Sequence, residues 1–262
     1  AREVAGNLCK LSPSFVSVTC SAGGSGNGAT TAPIAHMISS EFDTPSVAHL
    51  TCVGRTHADI AAKIDEYRTA GVENILALRG DLPAGATEDD KPASDYAYAR
   101  DLIPELVDAG FCVGAAAYPE GHIACEDLNL SVEHLKQKQD AGASFFVTQL
   151  FFDNEDFLRF LERARIAGIT VPIEAGIMPV LNQKSIERMV SLCGASIPRK
   201  LSRILARYGD HPEALREAGI AYAIDQISDL VAAGVDGIHL YTMNNPAVAR
   251  QISDSVSAIR RV

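Results

Sequence analysis

The chain has 262 residues, 47% of them hydrophobic, and a formal net charge of -10. That length buries a large core and fits one α/β barrel or two smaller domains, of which one domain is expected. The acidic balance, read as lacking any Lys/Arg cluster, argues against nucleic acid or an anionic membrane as main partner and favours small-molecule ligands. No apolar run approaches the ~20 residues that span a bilayer. The six cysteines, Cys9, Cys20, Cys52, Cys112, Cys125 and Cys193, form no C-x-x-C pair. Reduced thiols in a cytoplasmic protein are expected, with neither a disulfide framework nor a zinc site.

Taken in chain order, "AREVAGNLCKL" has helical spacing and begins without methionine or the long apolar stretch of a signal peptide. The expectation is that the chain's beginning has been removed or is not included in this sequence. Phe15 to Thr19, "FVSVT", reads as a strand. The following "GGSGNGAT" at 23–30 is Gly-rich but lacks the Lys-Ser/Thr ending of a P-loop, so a flexible loop is predicted there. "SVAHLTC" (Ser46 to Cys52) is the next strand, then a helix with the stripe Ile60, Ile64, Tyr67. "NILALRG" from Asn74 leads to a helix with Leu102 and Leu106, and "FCVGAAAY" (Phe111 to Tyr118) to one with Leu128, Val132 and Leu135. "FFVTQLFF" (Phe145 to Phe152) precedes the stripe Phe157, Phe160, Leu161, Ala164, and "VPIEAGIMP" (Val171 to Pro179) follows it. Two or three helical pieces are expected between Pro198 and Ala233, then the strand "GIHLYTM" (Gly237 to Met243) and the helix "NPAVARQISDSVSAI".

The strand runs are nearly continuous in apolar residues, the pattern of a parallel sheet covered on both faces. Five helices end in Ala-Gly before the next strand, where glycine closes the helix in a left-handed conformation. Seven strands and eight helices match a (β/α)8 TIM barrel in helices and fall one strand short of it. The economical explanation is a first strand upstream of residue 1, making 1–262 a single, N-terminally incomplete catalytic domain. A doubly wound open sheet is the alternative, but no Gly-rich dinucleotide fingerprint follows an early strand.

In such barrels the site is built at the C-terminal ends of the strands. The polar residues there are Thr19, His49 with Thr51, Arg79 with Asp81, Tyr118 with Glu120 and His122, Gln149, and Tyr241 with Asn244. Each has a bland alternative: Thr19 finishing a strand, His49 bonded to backbone in the core, Tyr118 capping the barrel. His49, His122 and Asp81 do not have the spacing of a metal site, so none is expected, and no G-x-S-x-G elbow starts a Ser-His-Asp triad. Arg-Gly-Asp at the end of a buried strand is discounted as an adhesion motif.

These residues carry a resemblance. "FVSVT", "HLTC", "NILALRGDLP", "AAYPEGH", "LKQKQDAGASFFVTQLFFD", "PIEAGIMPV" and "HLYTMN", in this order over essentially the whole chain, resemble the catalytic barrel of the 5,10-methylenetetrahydrofolate reductase family. The resemblance implies non-covalent FAD at the barrel mouth and a ping-pong reaction. In it NAD(P)H (NADH or NADPH) is the reductant and methylenetetrahydrofolate becomes 5-methyltetrahydrofolate, in the one-carbon metabolism that serves methionine synthesis. It implies FAD contacts from Thr19, His49, Leu78, Arg79, Gly80, Asp81, Tyr98, Ala99, Ala116, Tyr118, His122, Ser131, His134 and Lys138. Arg79 and Lys138 suit the phosphates and ribityl chain. Asp81 and Gln149 are the implied catalytic residues, and Asp81, Gln149 and Tyr241 the implied folate contacts. A homo-oligomer without nucleic-acid or membrane partners is expected.

Three departures stand beside the resemblance. The family's general-acid glutamate lies on a first-strand motif, Ser-Phe-Glu-Phe-Phe-Pro-Pro, absent from this sequence; its proton-transfer role is worth ~10²–10⁴ in rate. Asn245 stands where many members have arginine, and Ser131 and Gln137 where some bacterial members have Asp and Arg. The chain as given is therefore expected to bind better than it catalyses, or to be inactive. The competing reading is a non-catalytic flavin/folate-binding or scaffold subunit of the same descent. A lyase or aldolase on the same barrel lacks a lysine at a strand end for a Schiff base.

Overall fold

The structure is a computed structural model and describes residues 1–20, 30–81, 93–123, 125 and 127–261. The Gly-rich stretch read as a loop lies outside these residues except for Thr30. All seven strands expected from the sequence are present: β1 (Val16–Val18), β2 (Ser46–Thr51), β3 (Asn74–Leu78), β4 (Cys112–Ala117), β5 (Phe145–Thr148), β6 (Ile173–Ile177) and β7 (Gly237–Leu240). The helices are α1 (Arg2–Cys9), α2 (Thr31–Phe42), α3 (His57–Thr69), α4 (Ala99–Asp108), α5 (Leu128–Asp140), α6 (Asn154–Ile166), α7 (Gln183–Cys193), α8 (Arg199–Tyr208), α9 (Pro212–Ala232) and α10 (Pro246–Ser255). Parallel strands in sequence order, with a helix after each, make this an α/β fold of the TIM-barrel type.

The chain forms two compact units: Ala1–Ala116 with Gln137–Phe145, and Ala117–Lys136 with Phe146–Val262. In the first, β1 pairs with β2 (Val16 opposite Ser46), β2 with β3 (His49 opposite Leu76) and β3 with β4 (Ile75 opposite Val113), all parallel. In the second, β5 pairs with β6 (Phe146 opposite Ile173) and β6 with β7 (Gly176 opposite His239). Burial of consecutive residues, Ser46 to Ala48 on β2 and Ile75 to Ala77 on β3, shows both sheet faces covered, as the unbroken apolar runs required.

Helix boundaries follow local chemistry. Thr56 caps α3 by accepting from the Asp59 N–H, and the Asp59 carboxylate accepts from the Thr56 N–H, a reciprocal capping box. Asp153 and Asn182 cap α6 and α7 with their side-chain oxygens. The Ala-Gly glycines Gly71, Gly110, Gly142, Gly168 and Gly234 all have positive φ, so the recurrent dipeptide is the helix stop that the sequence suggested.

The predicted stripes are buried with two exceptions. Ile60, Ile64 and Tyr67 of α3, Leu102 and Leu106 of α4, Val132 and Leu135 of α5, and Phe157, Phe160 and Ala164 of α6 line the core. Leu128, at the first position of α5, is 37% exposed, and Leu161 is only half-buried. In the second unit the Phe157 ring stacks on Phe151 with centroids 5.0 Å apart; truncating either to alanine costs about 3–5 kcal/mol.

Between β6 and β7 a barrel needs one helix and the structure has three: α8 and α9 are two of the helical pieces expected between Pro198 and Ala233, and α7, before them, is the helix the sequence reading did not include. α9 is the long return helix, while α7 and α8 are additions whose apolar residues Ile186 and Leu201 join a cluster with Leu150, Phe152, Met178 and Val180. Those four residues lie just beyond β5 and β6, so the added helices pack at the C-terminal ends of the strands.

Candidate active site

In the first unit the ends of β2 and β3 are stitched together. The Cys52 N–H donates to the carbonyls of Leu78 (3.1 Å) and Arg79 (3.2 Å), and the Val53 N–H to Arg79 (2.7 Å). This holds Leu78, Arg79 and Gly80 as a fixed ledge, with Asp81 exposed beyond it. Gly80 has φ +89°, and a Cβ there would lie 2.9 Å from Thr51 Cβ and 3.0 Å from Val53 Cγ1. Glycine is thus required by the turn and by Thr51, apart from any ligand it approaches.

His49 is half-buried on β2, and its carbonyl accepts from the Tyr67 hydroxyl at 2.9 Å. The ring therefore stands on a strand anchored from behind by α3. Thr19 is exposed just past β1, and its carbonyl accepts from the Thr31 hydroxyl at the start of α2.

Tyr98 and Ala99 open α4. The N–H groups of Ala97 and Tyr98 donate to Asp101 (3.0 and 2.9 Å). The segment before them is tied to the β2–α3 connection by the Ser94 hydroxyl, bonded to the carbonyls of Cys52 and Arg55, and by Tyr96, which donates to the Glu105 carboxylate at 2.8 Å. Ala99 is buried, whereas Tyr98 is half exposed, with the Arg100 guanidinium 5.0 Å from its ring centroid. Arg100 also donates to the Gln137 side chain, which brings Tyr98 toward Lys138. Lys138 points inward: its ammonium donates to the Ala116 carbonyl at 2.7 Å, and burial pushes its pKa down to about 8. Arg79, Tyr98, Ala99, Ala116 and Lys138 are thus each held by a defined partner or neighbour.

In the second unit, Tyr118-Pro119-Glu120-Gly121 forms a turn closed by the Gly121 N–H to the Tyr118 carbonyl (3.1 Å), with proline and glycine at the positions a type I turn favours. Tyr118 and His122 flank it edge to face, centroids 4.9 Å apart. Glu120 ties the turn down by accepting from the Ser196 N–H at 2.9 Å, while its other oxygen is buried. Glu120 stood in the predicted polar ring but was not assigned to the site; the Pro-Glu-Gly turn between two aromatic rings was the available signal. Ser131 and His134 are half-buried on α5.

β5 is shorter than its apolar run. It ends at Thr148, and the Gln149 N–H turns to the Ala117 carbonyl at 2.8 Å. The side chain folds back so that Gln149 Oε1 accepts from the Leu150 N–H at 2.9 Å. A backbone N–H can only donate, so the carbonyl end of the amide is committed inward and its NH2 is what Gln149 offers a ligand. Tyr241, after β7, donates from its hydroxyl to the Thr148 carbonyl at 2.6 Å and lies edge-on to His239 (5.2 Å). Burial pushes its phenol pKa well up, so the hydroxyl stays protonated. A Cβ at Gly176 would meet the Thr148 carbonyl at 2.4 Å and the Tyr241 ring at 2.8 Å. Gly176 therefore makes room for that hydrogen bond.

Among the described residues no group of three or more His, Cys, Asp or Glu side chains could hold a metal, and no helix is long and apolar enough to cross a membrane.

The family model "Methylenetetrahydrofolate reductase" matches residues 3–257. The chain belongs to the methylenetetrahydrofolate reductase family. It is 35% identical to methylenetetrahydrofolate reductase 1 of Schizosaccharomyces pombe over 94% of this chain and 41% of that protein. It is also 35% identical to 5,10-methylenetetrahydrofolate reductase of Escherichia coli, over 94% of this chain and 81% of the relative. The chain thus spans about two fifths of the yeast relative's length. Among solved structures, an uncharacterized protein from Clostridium thermocellum that binds two copies of 5-methyl-5,6,7,8-tetrahydrofolic acid is similar. Its TM-score is 0.59 at 15% identity, over 92% of this chain and 94% of that one, which shows a shared fold.

Proposed function

We propose that residues 1–262 form one catalytic domain that reduces 5,10-methylenetetrahydrofolate to 5-methyltetrahydrofolate with NAD(P)H, in a ping-pong sequence through non-covalent FAD. The observation that carries this reading is the family match across residues 3–257 together with polar residues at successive strand ends in the family's order.

The donor set of the first unit fits a flavin dinucleotide. Lys138 is an enclosed lysine whose ammonium is held on the Ala116 carbonyl and whose pKa burial lowers to about 8; a phosphate beside it would favour its charged form. Arg79, fixed by the backbone ledge at β2 and β3, adds a guanidinium fork for a second anionic or hydroxyl-rich group. Thr19, His49, Leu78, Gly80, Asp81, Tyr98, Ala99 and Ala116 are proposed as the remaining contacts of that unit, with Tyr118, His122, Ser131 and His134 in the other. When bound, the flavin supplies a two-electron carrier between nicotinamide and folate.

The chain's own residues hold and orient. Asp81 places a carboxylate where it receives hydrogen bonds from the pterin and opposes excess negative charge on its neighbours. Gln149 donates from its NH2 to a pterin acceptor, its carbonyl held by the Leu150 N–H. Tyr241, its proton kept on the ring oxygen by burial, presents a fixed aromatic face. A cytoplasmic location is proposed on the sequence pattern, six cysteines without a C-x-x-C pair.

The test is direct. The purified chain should be yellow or take up FAD, NADH or NADPH should bleach it, and NAD(P)H–menadione oxidoreductase activity should follow. A colourless protein that binds no FAD ends the reading.

A further inference from the structure

The second unit holds a cavity that the proposed reaction does not use. Its volume is about 290 Å³, and it lies between the Pro119–Glu120 turn, the first residue of α5 and one face of α6. Asp156, Arg159, Phe160 and Arg163 line it from α6, a spacing that places all four on a single side of the helix. Pro119, Leu128 and Phe160 give it apolar wall. The space is several times the ~30 Å³ share of one water molecule, which leaves room for a small metabolite.

Four charges stand in that wall, and two of them satisfy each other. Arg159 donates to Asp156 at 2.6 Å and also pairs with Glu155 at 3.9 Å. Glu120 and Arg163 are left. One Glu120 oxygen accepts from the Ser196 N–H at 2.9 Å, whereas Oε1 is buried and has no hydrogen-bond partner among the described residues. Arg163 is exposed, and among the described residues no carboxylate forms an ion pair with it. A buried carboxylate oxygen without a donor is costly, and a ligand that brings an N–H group removes that cost.

We propose that this cavity binds a small α-amino acid with an apolar side chain. Its ammonium donates to Glu120 Oε1, its carboxylate accepts from the Arg163 guanidinium fork, and its side chain lies on Pro119, Leu128 and Phe160. A plain cation or a plain anion matches only half of a wall that leaves one acceptor and one donor open. Glu120 also sits in the turn between Tyr118 and His122, so an occupant of the cavity is joined through one side chain to both rings.

The experiment is calorimetric titration of the full chain with L-leucine, with isoamylamine, which lacks the carboxylate, and with isocaproate, which lacks the ammonium. L-Leucine should bind saturably, and each analogue at least about tenfold more weakly, the loss of one charge-assisted contact. Two variants locate the site. Arg163→Met keeps an apolar stem at an exposed position, and Glu120→Gln keeps an acceptor for Ser196 while putting an NH2 in place of the open oxygen. Each should weaken L-leucine at least about tenfold. The titration needs neither flavin nor turnover, so failure of the reductase reading leaves it unaffected. The proposal is overturned if L-leucine does not bind saturably, if both variants bind it as the parent does, or if isoamylamine binds as tightly, which would make the cavity a simple cation site.

Discussion

The Lys138 ammonium donates to the Ala116 carbonyl at 2.7 Å, and burial lowers its pKa to about 8 from an ordinary 10.5. The lowered pKa means that burial costs the charged form more than its bonds in the folded chain return. Between about pH 8 and 10.5 the folded chain binds fewer protons than the unfolded one, so stability of the ligand-free chain rises with pH across that window. Below pH 8 the whole cost is present. Lys138→Met should abolish this rise and stabilise the ligand-free chain at pH 7 by about 1–3 kcal/mol, while weakening FAD binding at least about tenfold. Thermal melts from pH 7 to 10 and FAD titrations check both halves. A variant less stable than its parent at pH 7 refutes the account.

Gly80→Ala should cost more than a left-handed glycine alone explains. Gly110 offers the comparison: its φ is +90°, nearly that of Gly80, but nothing lies within 4 Å of its would-be Cβ. Gly110→Ala then measures the backbone term, about 1 kcal/mol, and Gly80→Ala adds crowding against Thr51 and Val53 for a total of about 2–4 kcal/mol. Urea denaturation of both variants gives the difference. Equal costs would show that the β2–β3 ledge yields without resistance.

Tyr241→Phe removes the donor that meets the Thr148 carbonyl at 2.6 Å. The ring keeps its place above Gly176, so the expected stability loss is about 1–2 kcal/mol, the cost of one buried acceptor left unsatisfied. KM for the folate should rise with little change in NAD(P)H–menadione turnover. A reversed pattern, with menadione turnover reduced and folate KM unaffected, would move Tyr241 out of the folate contact.

Much of this was legible in the residues. Unbroken apolar runs revealed all seven strands, because parallel strands covered on both faces tolerate few polar residues. The Ala-Gly stops were readable because a left-handed helix end selects glycine chemically. Less visible was anything set by partners distant in sequence. The Gln149–Phe152 stretch continues the apolar run of β5, yet leaves the sheet because Leu150 and Phe152 are wanted by α7, α8 and α9. Glu120 tied to Ser196, 76 positions away, has no local signature. Lys184, Arg188, Arg199, Lys200, Arg203 and Arg207, set against the one acid Glu187, correct the expectation of no cationic cluster; they were hidden because they are spread over 26 residues and interleaved with apolar ones, and only the helical fold of α8 lines up Arg199, Arg203 and Arg207. The family resemblance supplied ligand roles for the strand ends, while the geometry supplied which atoms are already occupied.

Gln149 shows what that occupancy predicts. Its Oε1 accepts from the Leu150 N–H, leaving the NH2 as the ligand-facing end. Glutamate at this position keeps an acceptor for Leu150, strengthened by charge, and loses both donors. Gln149→Glu should therefore fold as stably as the parent, within about 0.5 kcal/mol, yet lose folate affinity by about tenfold or more, since a pterin acceptor would face a carboxylate. Gln149→Ala removes the Leu150 partner as well and should cost about 1 kcal/mol of stability in addition. Urea midpoints and folate KM for the two variants separate the roles. If Gln149→Glu binds folate as well as the parent does, the amide's NH2 is not what the substrate meets.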